Sequence, residues 1–323
     1  MIVDDRVYGA HEVTEPVLVE LIQCPALQRL KKIEQFGLPQ EWWPVPGFKR
    51  YEHCVGTMLL LRHLGASLEE QVAGLLYDAS HTAFSHVGDF VFADGGQGNY
   101  QDSIHADFLQ RTGVPQILSA HGFDTTRVSH LENFPLLEQP HPALCADRID
   151  YTLRELACQN NLLDWHTLVA HENAIAFTTI NAAREFGTHY LHCQRNHWGS
   201  TQLTTLYHLF AQLLKTAITD GVLTKEDMFT DDERVMSRLK STKHPSVSES
   251  MRQFSFGYRF LDTTTQPDYT CKKKFRHVDP PVLQDGKLQP LSTLDPLYRA
   301  RLEEEREYNA QGISVKIIPR TGV

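Results

Sequence analysis

RYEHCVGTMLLLRHLGASLEEQVAGLLYDASHTAFSH, residues 50–86, decides how the chain is read. Apolar side chains in CVGTMLLLRHLG predict a helix that Gly65 stops. SLEEQVAGLLYD predicts a second helix, capped by Ser67 and with Glu69 and Glu70 in its first turn. Polar groups collect where these helices begin and end. Arg50-Tyr51-Glu52-His53 stands where a loop becomes the first helix, Tyr77-Asp78 stands where the second finishes, and Ser80-His81 and Ser85-His86 follow. His53, Asp78 and His81 are of the types that bind zinc or iron through mixed nitrogen and oxygen donors. Each also has a plain alternative. A lone histidine in a helical protein is most often structural, Asp78 suits a helix-end charge, and Tyr77 suits a core position with its hydroxyl bonded nearby.

Working outward, PVLVELIQ and PALQRLKKIEQF predict helix over residues 15 to 38, with Gly37 ending the second run. Pro39 to Lys49 reads as an ordered loop around Trp42-Trp43. Downstream, residues 94 to 99 (DGGQGN) read as a lid-like turn before a helix from Gln101 to Thr112. A loop from Pro135 to Pro142 leads into ALCADRIDYTLRELA, another helix, opened by Asp147-Arg148-Ile149-Asp150-Tyr151. Residues 162 to 214 read mostly as helix. From Phe254 the texture shifts to aromatic and Thr-rich pieces that predict short strands, followed by a charged helix in LDPLYRARLEEEREYNA and a last strand in SVKIIP. The expected fold class is mainly α: a helical domain over about residues 1–215, then a smaller α+β portion over 216–323.

The net charge of -9 over 323 residues argues against a general nucleic-acid surface, which needs basic phosphate contacts. A few local Arg, Lys or metal charges can still hold one phosphate chain. The six cysteines are scattered without a CxxC pair and read as buried small hydrophobes or free thiols in a reducing compartment. No apolar run approaches the roughly 20 residues that span a bilayer. MIVDDRVYGAHEV lacks a signal-peptide core, so the cytoplasm is the expected location. Histidine is the outlier, with 17 copies, several of them in one stretch.

Four segments in order carry a resemblance: PALQRLKKIEQFG (25–37), WWPVPGFKRYEHCVGTMLLL (42–61), LLYDASHTAFSHVGDF (75–90) and CADRIDYTLRE (145–155). Together they are similar to the HD-domain phosphohydrolases, most of all to the deoxynucleoside-triphosphate triphosphohydrolase branch. The match runs in register over roughly residues 2 to 157, and KKFRHVDPPVL (273–283) is loosely similar to the family's C-terminal lobe. The resemblance implies an HD-domain helical fold and a divalent or trivalent transition metal (Fe, Mn, Zn or Co) or Mg. It implies His53, Asp78 and Asp147 as metal ligands, with Tyr77 where the family has its eponymous histidine. Gln35, Arg50, Arg148 and Tyr151 fall where relatives touch the nucleotide. His81 and His86 match the histidines beside the scissile phosphate, and Glu155 matches an acidic position close by. The expected substrate is a small phosphate compound, a nucleotide above all, and a homo-oligomer is expected by analogy.

A divalent ion lowers the pKa of bound water toward neutrality and neutralises phosphoryl oxygens. His81 or His86 then protonates the leaving oxygen or steadies developing charge, while arginines hold the anion. Asp78 and His81 share a face if the helix continues, and His86 is expected to start the next element with Ser85 as its cap.

Three departures qualify the match. Tyr77 replaces an imidazole with a phenol, whose proton ordinarily leaves only at a pKa of about 10. Tyr100-Gln101 stands where relatives have a His-Glu pair, and His105, one turn on, is the candidate substitute. Ser80 and Ala83 replace the family's Gly and Pro. Beside hydrolysis, two other readings therefore stay open: HD-type iron-dependent oxygen chemistry, with Tyr77 as a phenolate ligand, and a catalytically impaired nucleotide-binding or assembly module.

Overall fold

The computed structural model describes residues 1–93 and 100–321, so the turn read at residues 94 to 99 lies outside the described residues. Helix Arg50–His63 and helix Leu68–Leu76 form as their patterns predict. Ser67 accepts from the Glu70 amide at 3.2 Å and caps the second. Helix Ala146–Cys158 packs beside the first, and Tyr100–Gln110 begins one residue before and ends two residues before the expected bounds. Their apolar faces make one core, which includes Leu60, Leu75, Tyr77, Ala79 and Ile149. A second core surrounds helix Thr201–Thr219, where Phe210 and Leu214 meet Trp43, Ala83, Phe84 and Val87. Loop 79–87 thus spans the seam between the two cores, and its middle residues Ser80, His81 and Thr82 are polar and buried.

The structure changes three readings. Residues 25–38 are not one helix: Pro25–Gln28 is α-helical, Arg29–Lys32 is 3-10, and Ile33 turns extended. The chain there pairs with the incoming loop instead, with the Gln35 amide on the Phe48 carbonyl at 3.0 Å and the Arg50 amide on the Ile33 carbonyl at 3.0 Å. Gly37, at φ +69, closes this turn against the Phe84 carbonyl, where a β-carbon would collide. Secondly, residues 162–214 are interrupted by a hairpin, Leu168–His171 against Ala174–Phe177, turned at Glu172 with φ +55 before helix Ile180–Cys193 begins. Finally, Ser85 does not cap the helix Val87–Phe92, whose N-cap is His86 without a side-chain bond; the Ser85 hydroxyl donates to the Glu34 carbonyl instead, at 2.5 Å.

Among the described residues, three small sheets complete the fold. Ile2–Asp5 pairs antiparallel with Gly9–Glu12, a hairpin that the sequence did not announce. The hairpin of residues 168–177 extends through a parallel contact, Phe177 beside Val282, to strands Pro281–Gln284 and Lys287–Pro290. Strand Ile313–Pro319 lies between Tyr258–Asp262 and Tyr269–Cys271, as the strand-rich texture beyond Phe254 suggests. Helix Pro296–Ala310 is capped by Asp295. No described helix is long and apolar enough to cross a membrane, and all six cysteines are free.

Candidate metal and phosphate site

His53 lies on the first turn of its helix and is wholly buried. Its Nδ1–H donates to Asp150 Oδ1 at 2.6 Å, and Asp150 also takes both Nε (3.0 Å) and Nη2 (2.9 Å) of Arg154. Arg154 then reaches Asp5 at 3.0 Å, so the N-terminal hairpin anchors the far end of the chain of charges. Gly56, one turn beyond His53, leaves the space through which the Asp150–Arg154 pair crosses; a β-carbon there would overlap both side chains. The carboxylate behind the imidazole fixes its orientation and leaves Nε2 aimed at the opposite side.

Nε2 faces three groups: the Tyr77 hydroxyl at hydrogen-bond contact, Asp147 Oδ1 at 3.2 Å and Asp78 Oδ2 at 3.8 Å. The same Tyr77 hydroxyl donates to Asp147 Oδ1. The candidate metal positions His53, Tyr77, Asp78 and Asp147 therefore meet at one point, although they come from residues as far apart as 53 and 147. Burial alone would lower the His53 pKa, but hydrogen bonds to Asp147 and Asp150 and the surrounding carboxylates lift it to about 9. Tyr77 is pushed well above the usual phenol value, by burial first and then by Asp147 and Asp78. Asp78 is held well below the usual carboxylate range, because Arg50 and His81 outweigh the burial that would raise it.

Arg50 donates to Asp78 Oδ2 at 2.5 Å, to Ser85 Oγ at 3.0 Å and to the Gln35 carbonyl at 3.3 Å. It is buried and engaged on every side, while the Gln35 side-chain oxygen is buried without a partner among the described residues. His81 holds Asp78 Oδ1 at 3.3 Å, and its ring meets His86 edge to face at 5.3 Å. Burial, then the Arg50 charge, pulls the His81 pKa down to about 4 despite Asp78. His86 is the open one of the pair: its side chain is 40% exposed, with Nδ1 3.3 Å from Asp89. The loop carrying these histidines is clamped from behind. Arg29 donates to the Ala79 and His81 carbonyls at 2.7 Å each, and Asp232 accepts the Phe84 amide at 2.7 Å.

The other residues singled out from sequence are taken up by other partners, although the Tyr151 ring also meets His53 edge-on at 6.2 Å. Glu155 binds His197 Nδ1 at 2.6 Å and the Trp198 indole, a buried network that continues to Trp43. Arg148 turns to Glu138 at 2.8 Å, to the Ala143 carbonyl at 3.1 Å and to Cys145 Sγ at 3.0 Å. Tyr151 bonds the Tyr190 hydroxyl at 2.6 Å. Glu138, Cys145 and Asp147 have donor atoms within 4.8 Å of one another, but Arg148 already supplies a cation to the first two. Gln101 ties down the Tyr77 carbonyl at 2.8 Å and the Ser80 hydroxyl at 2.9 Å. His105 Nδ1 is 3.1 Å from the same Ser80 hydroxyl. Sequence reasoning missed Asp5, Arg154 and Asp232 as parts of the site, and it noted Asp150 beside Asp147 without giving it a role. Only Asp150 and Arg154 left a signal, spaced one helical turn apart behind Asp147.

No family model matches the chain. It is 35% identical to the uncharacterised protein YdhJ of Bacillus subtilis, over 98% of this chain and 99% of that protein. It is 30% identical to the metal-dependent phosphohydrolase cns2 of Cordyceps militaris, over 90% of this chain and 87% of that protein. A shorter stretch, 28% of this chain, is 33% identical to 16% of the deoxynucleoside triphosphate triphosphohydrolase SAMHD1 of Xenopus laevis. The crystal structure of a phosphohydrolase from Bacteroides thetaiotaomicron shares the fold. Its TM-score is 0.71 over 99% of this chain and 100% of that one, at 16% identity.

Proposed function

The chain belongs to the metal-dependent phosphohydrolase family, and from that premise we propose an HD-type enzyme that cleaves a small phosphate compound, with a deoxynucleotide as the leading candidate. The single observation that carries the reading is the meeting of His53, Tyr77, Asp78 and Asp147 around one point.

The donor set fits a transition ion. One imidazole nitrogen and the oxygens of Asp78 and Asp147 suit iron, manganese, zinc or cobalt better than magnesium. The charge around them calls for a cation too. Among the described residues, Asp78 pairs with Arg50, Asp5 and Asp150 pair with Arg154, and His53 faces Asp147 and Asp150. His53, Asp78 and Asp147 would hold the ion, with Tyr77 beside them as phenolate or as hydrogen-bond partner. Such an ion supplies Lewis acidity, activates water and neutralises phosphoryl charge. The protein's own residues do the rest. Asp150 sets the orientation of His53, Arg50 and His81 hold Asp78, and Arg29 and Asp232 fix the loop beneath His81. His86, half-exposed and oriented by Asp89, would donate a proton to a leaving oxygen.

The likeness to SAMHD1 covers 28% of the chain and is the support for a nucleotide. The test combines elemental analysis of the purified protein with phosphate and triphosphate release from a panel of deoxynucleotides and simple phosphate esters. We expect stoichiometric metal and release, both lost in Asp147→Asn. Metal-free protein that remains inactive when supplied with each candidate ion overturns the reading. Exchange of Tyr77 for His with unchanged metal content and turnover removes Tyr77 from the ligand set.

A further inference from the structure

We propose that Glu138 is a displaceable stand-in for the substrate's phosphate: its carboxylate holds the Arg148 guanidinium and gives it up when a phosphoryl group arrives. Glu138 thereby sets how tightly the anion binds. The inference rests on the hydrolase reading above, with Arg148 as the phosphate contact that the resemblance implies, and it assigns a residue which that reading did not include. It begins from a conflict. Both arginines that the sequence offers for anion binding are engaged: Arg50 by Asp78, Ser85 and the Gln35 carbonyl, and Arg148 by Glu138, Cys145 and the Ala143 carbonyl. One of them has to change partner to grip a phosphate, and their surroundings say which.

Arg50 is poorly placed to do so. Its side chain is 2% exposed and that of Asp78 is 4% exposed, so a separation would leave a carboxylate buried without its cation. The pair at Arg148 is built differently. The guanidinium is nearly closed off, at 7% exposed, yet the Glu138 side chain is 36% exposed and can turn into water. The Ala143 carbonyl at 3.1 Å and Cys145 Sγ at 3.0 Å both take Nη1 and hold the fork in place, whereas Glu138 takes Nη2 alone, at 2.8 Å. Departure of Glu138 therefore uncovers one edge of a guanidinium that is already oriented.

Glu138 also stands at the site. A carboxylate oxygen of Glu138 lies within 4.8 Å of one of Asp147, which is among the groups that meet at His53 Nε2. Two carboxylates this close repel each other, which loosens the hold on Glu138. A carboxylate and a phosphoryl group offer the same kind of oxygens to a guanidinium, so one can take the other's place. Only the side chain has to move. Before Glu138, Glu70 accepts the Leu136 and Leu137 amides at 2.8 and 3.2 Å. After it, residues 274–279 strap the loop down: the His277 carbonyl receives His141 Nδ1 at 2.8 Å, and the Asp279 amide donates to the Pro142 carbonyl at 3.0 Å. Gln194 ties the strap itself at the Lys274 carbonyl, at 3.5 Å. Besides Arg148, Glu138 Oε1 accepts the amide of its neighbour Gln139 at 3.0 Å, a bond that water can replace.

The experiment titrates inorganic phosphate into the purified, metal-containing protein by calorimetry, for wild type, Glu138→Ala, Arg148→Ala and the double variant. We expect Glu138→Ala to bind phosphate about 5-fold more tightly, the factor that a partly exposed ion pair can withhold, and to lower KM similarly. Glu138→Gln, which keeps the shape and loses the charge, should show part of the gain. Arg148→Ala should weaken binding by about 10-fold or more. The double variant should bind as Arg148→Ala does, because the carboxylate acts through the guanidinium. A gain from Glu138→Ala that persists without Arg148 overturns the assignment, since it would mark simple relief of negative charge. Unchanged or weaker binding in both Glu138 variants overturns it, as does a lack of phosphate binding by wild type and both variants at millimolar concentration. Arg148-dependent tightening in a protein that hydrolyses nothing would keep this assignment and overturn the hydrolase reading. Hydrolysis with an unchanged KM in Glu138→Ala would do the reverse.

Discussion

Behind His53 the charges meet one another out of solvent, whereas at the front of the site His86 and Glu138 stand half-exposed. The rear wall runs Asp5, Arg154, Asp150, His53 and is closed to solvent; its contacts range from 2.6 to 3.0 Å. The front wall carries a histidine 40% exposed and, on the guanidinium of Arg148, a glutamate 36% exposed. Both are rich in polar side chains, and both descend from sequence segments that look equally promising. The contrast teaches that a charged residue's use follows from what already satisfies it. On the proposed reading the rear wall would orient a metal ligand, and the front wall would meet the substrate.

The largest effect should come from opening the rear wall. Asp150→Ala leaves His53 Nδ1 without an acceptor and strands Arg154, whose Nη1 already lacks a partner, on Asp5 alone. Removing one member of a buried ion pair costs about 3–5 kcal/mol, to be read by urea unfolding. Glu138→Ala in the same assay should cost no more than about 1 kcal/mol, because its ion pair with Arg148 is partly open to solvent. Comparable losses from the two would erase the distinction between the walls. A smaller loss, about 1–3 kcal/mol, is expected for Gly56→Ala, because the new methyl group would press into the Asp150–Arg154 pair. A neutral Gly56→Ala would mean that the crossing is looser than the contacts imply.

Much of the fold was legible because periodicity and caps agree with burial: residues 50–63, 68–76 and 146–158 are helices whose apolar faces lie in one core. The break at Ile33 was not legible. Lys31, Lys32 and Glu34 are good helix formers, and only the pairing of residues 33–35 with 48–50 overrides them. The convergence of His53, Tyr77, Asp78 and Asp147 was readable through order and residue type, whereas the fate of each arginine was not. That of Arg148 turns on Glu138, ten residues away, turned inward by a loop whose path no local pattern sets. Asp232, which holds the amides of Glu34 and Phe84, comes from a helix start whose local reading is a simple cap.

The front wall has its own weak point, the joint where His141 meets the strap of residues 274–279. Burial, and after it the Arg148 charge, lowers the His141 pKa to about 4, although its bond to the His277 carbonyl works the other way. The unfolded chain should take the proton near 6.5. Between these values the unfolded state therefore binds more protons than the folded one. The stability contributed by neutral His141 is complete above pH 6.5 and is lost as the pH falls toward 4. A shift of this size would amount to about 3 kcal/mol in a fully buried group, and partial exposure of the ring reduces the expectation to about 1 kcal/mol. His141→Gln should lose that much less stability than wild type over the interval, as measured by unfolding at stepped pH. Parallel losses in the two proteins would mean that the imidazole bears no part of the joint, and the strap would then have to be held by Gln194 and Pro142 alone.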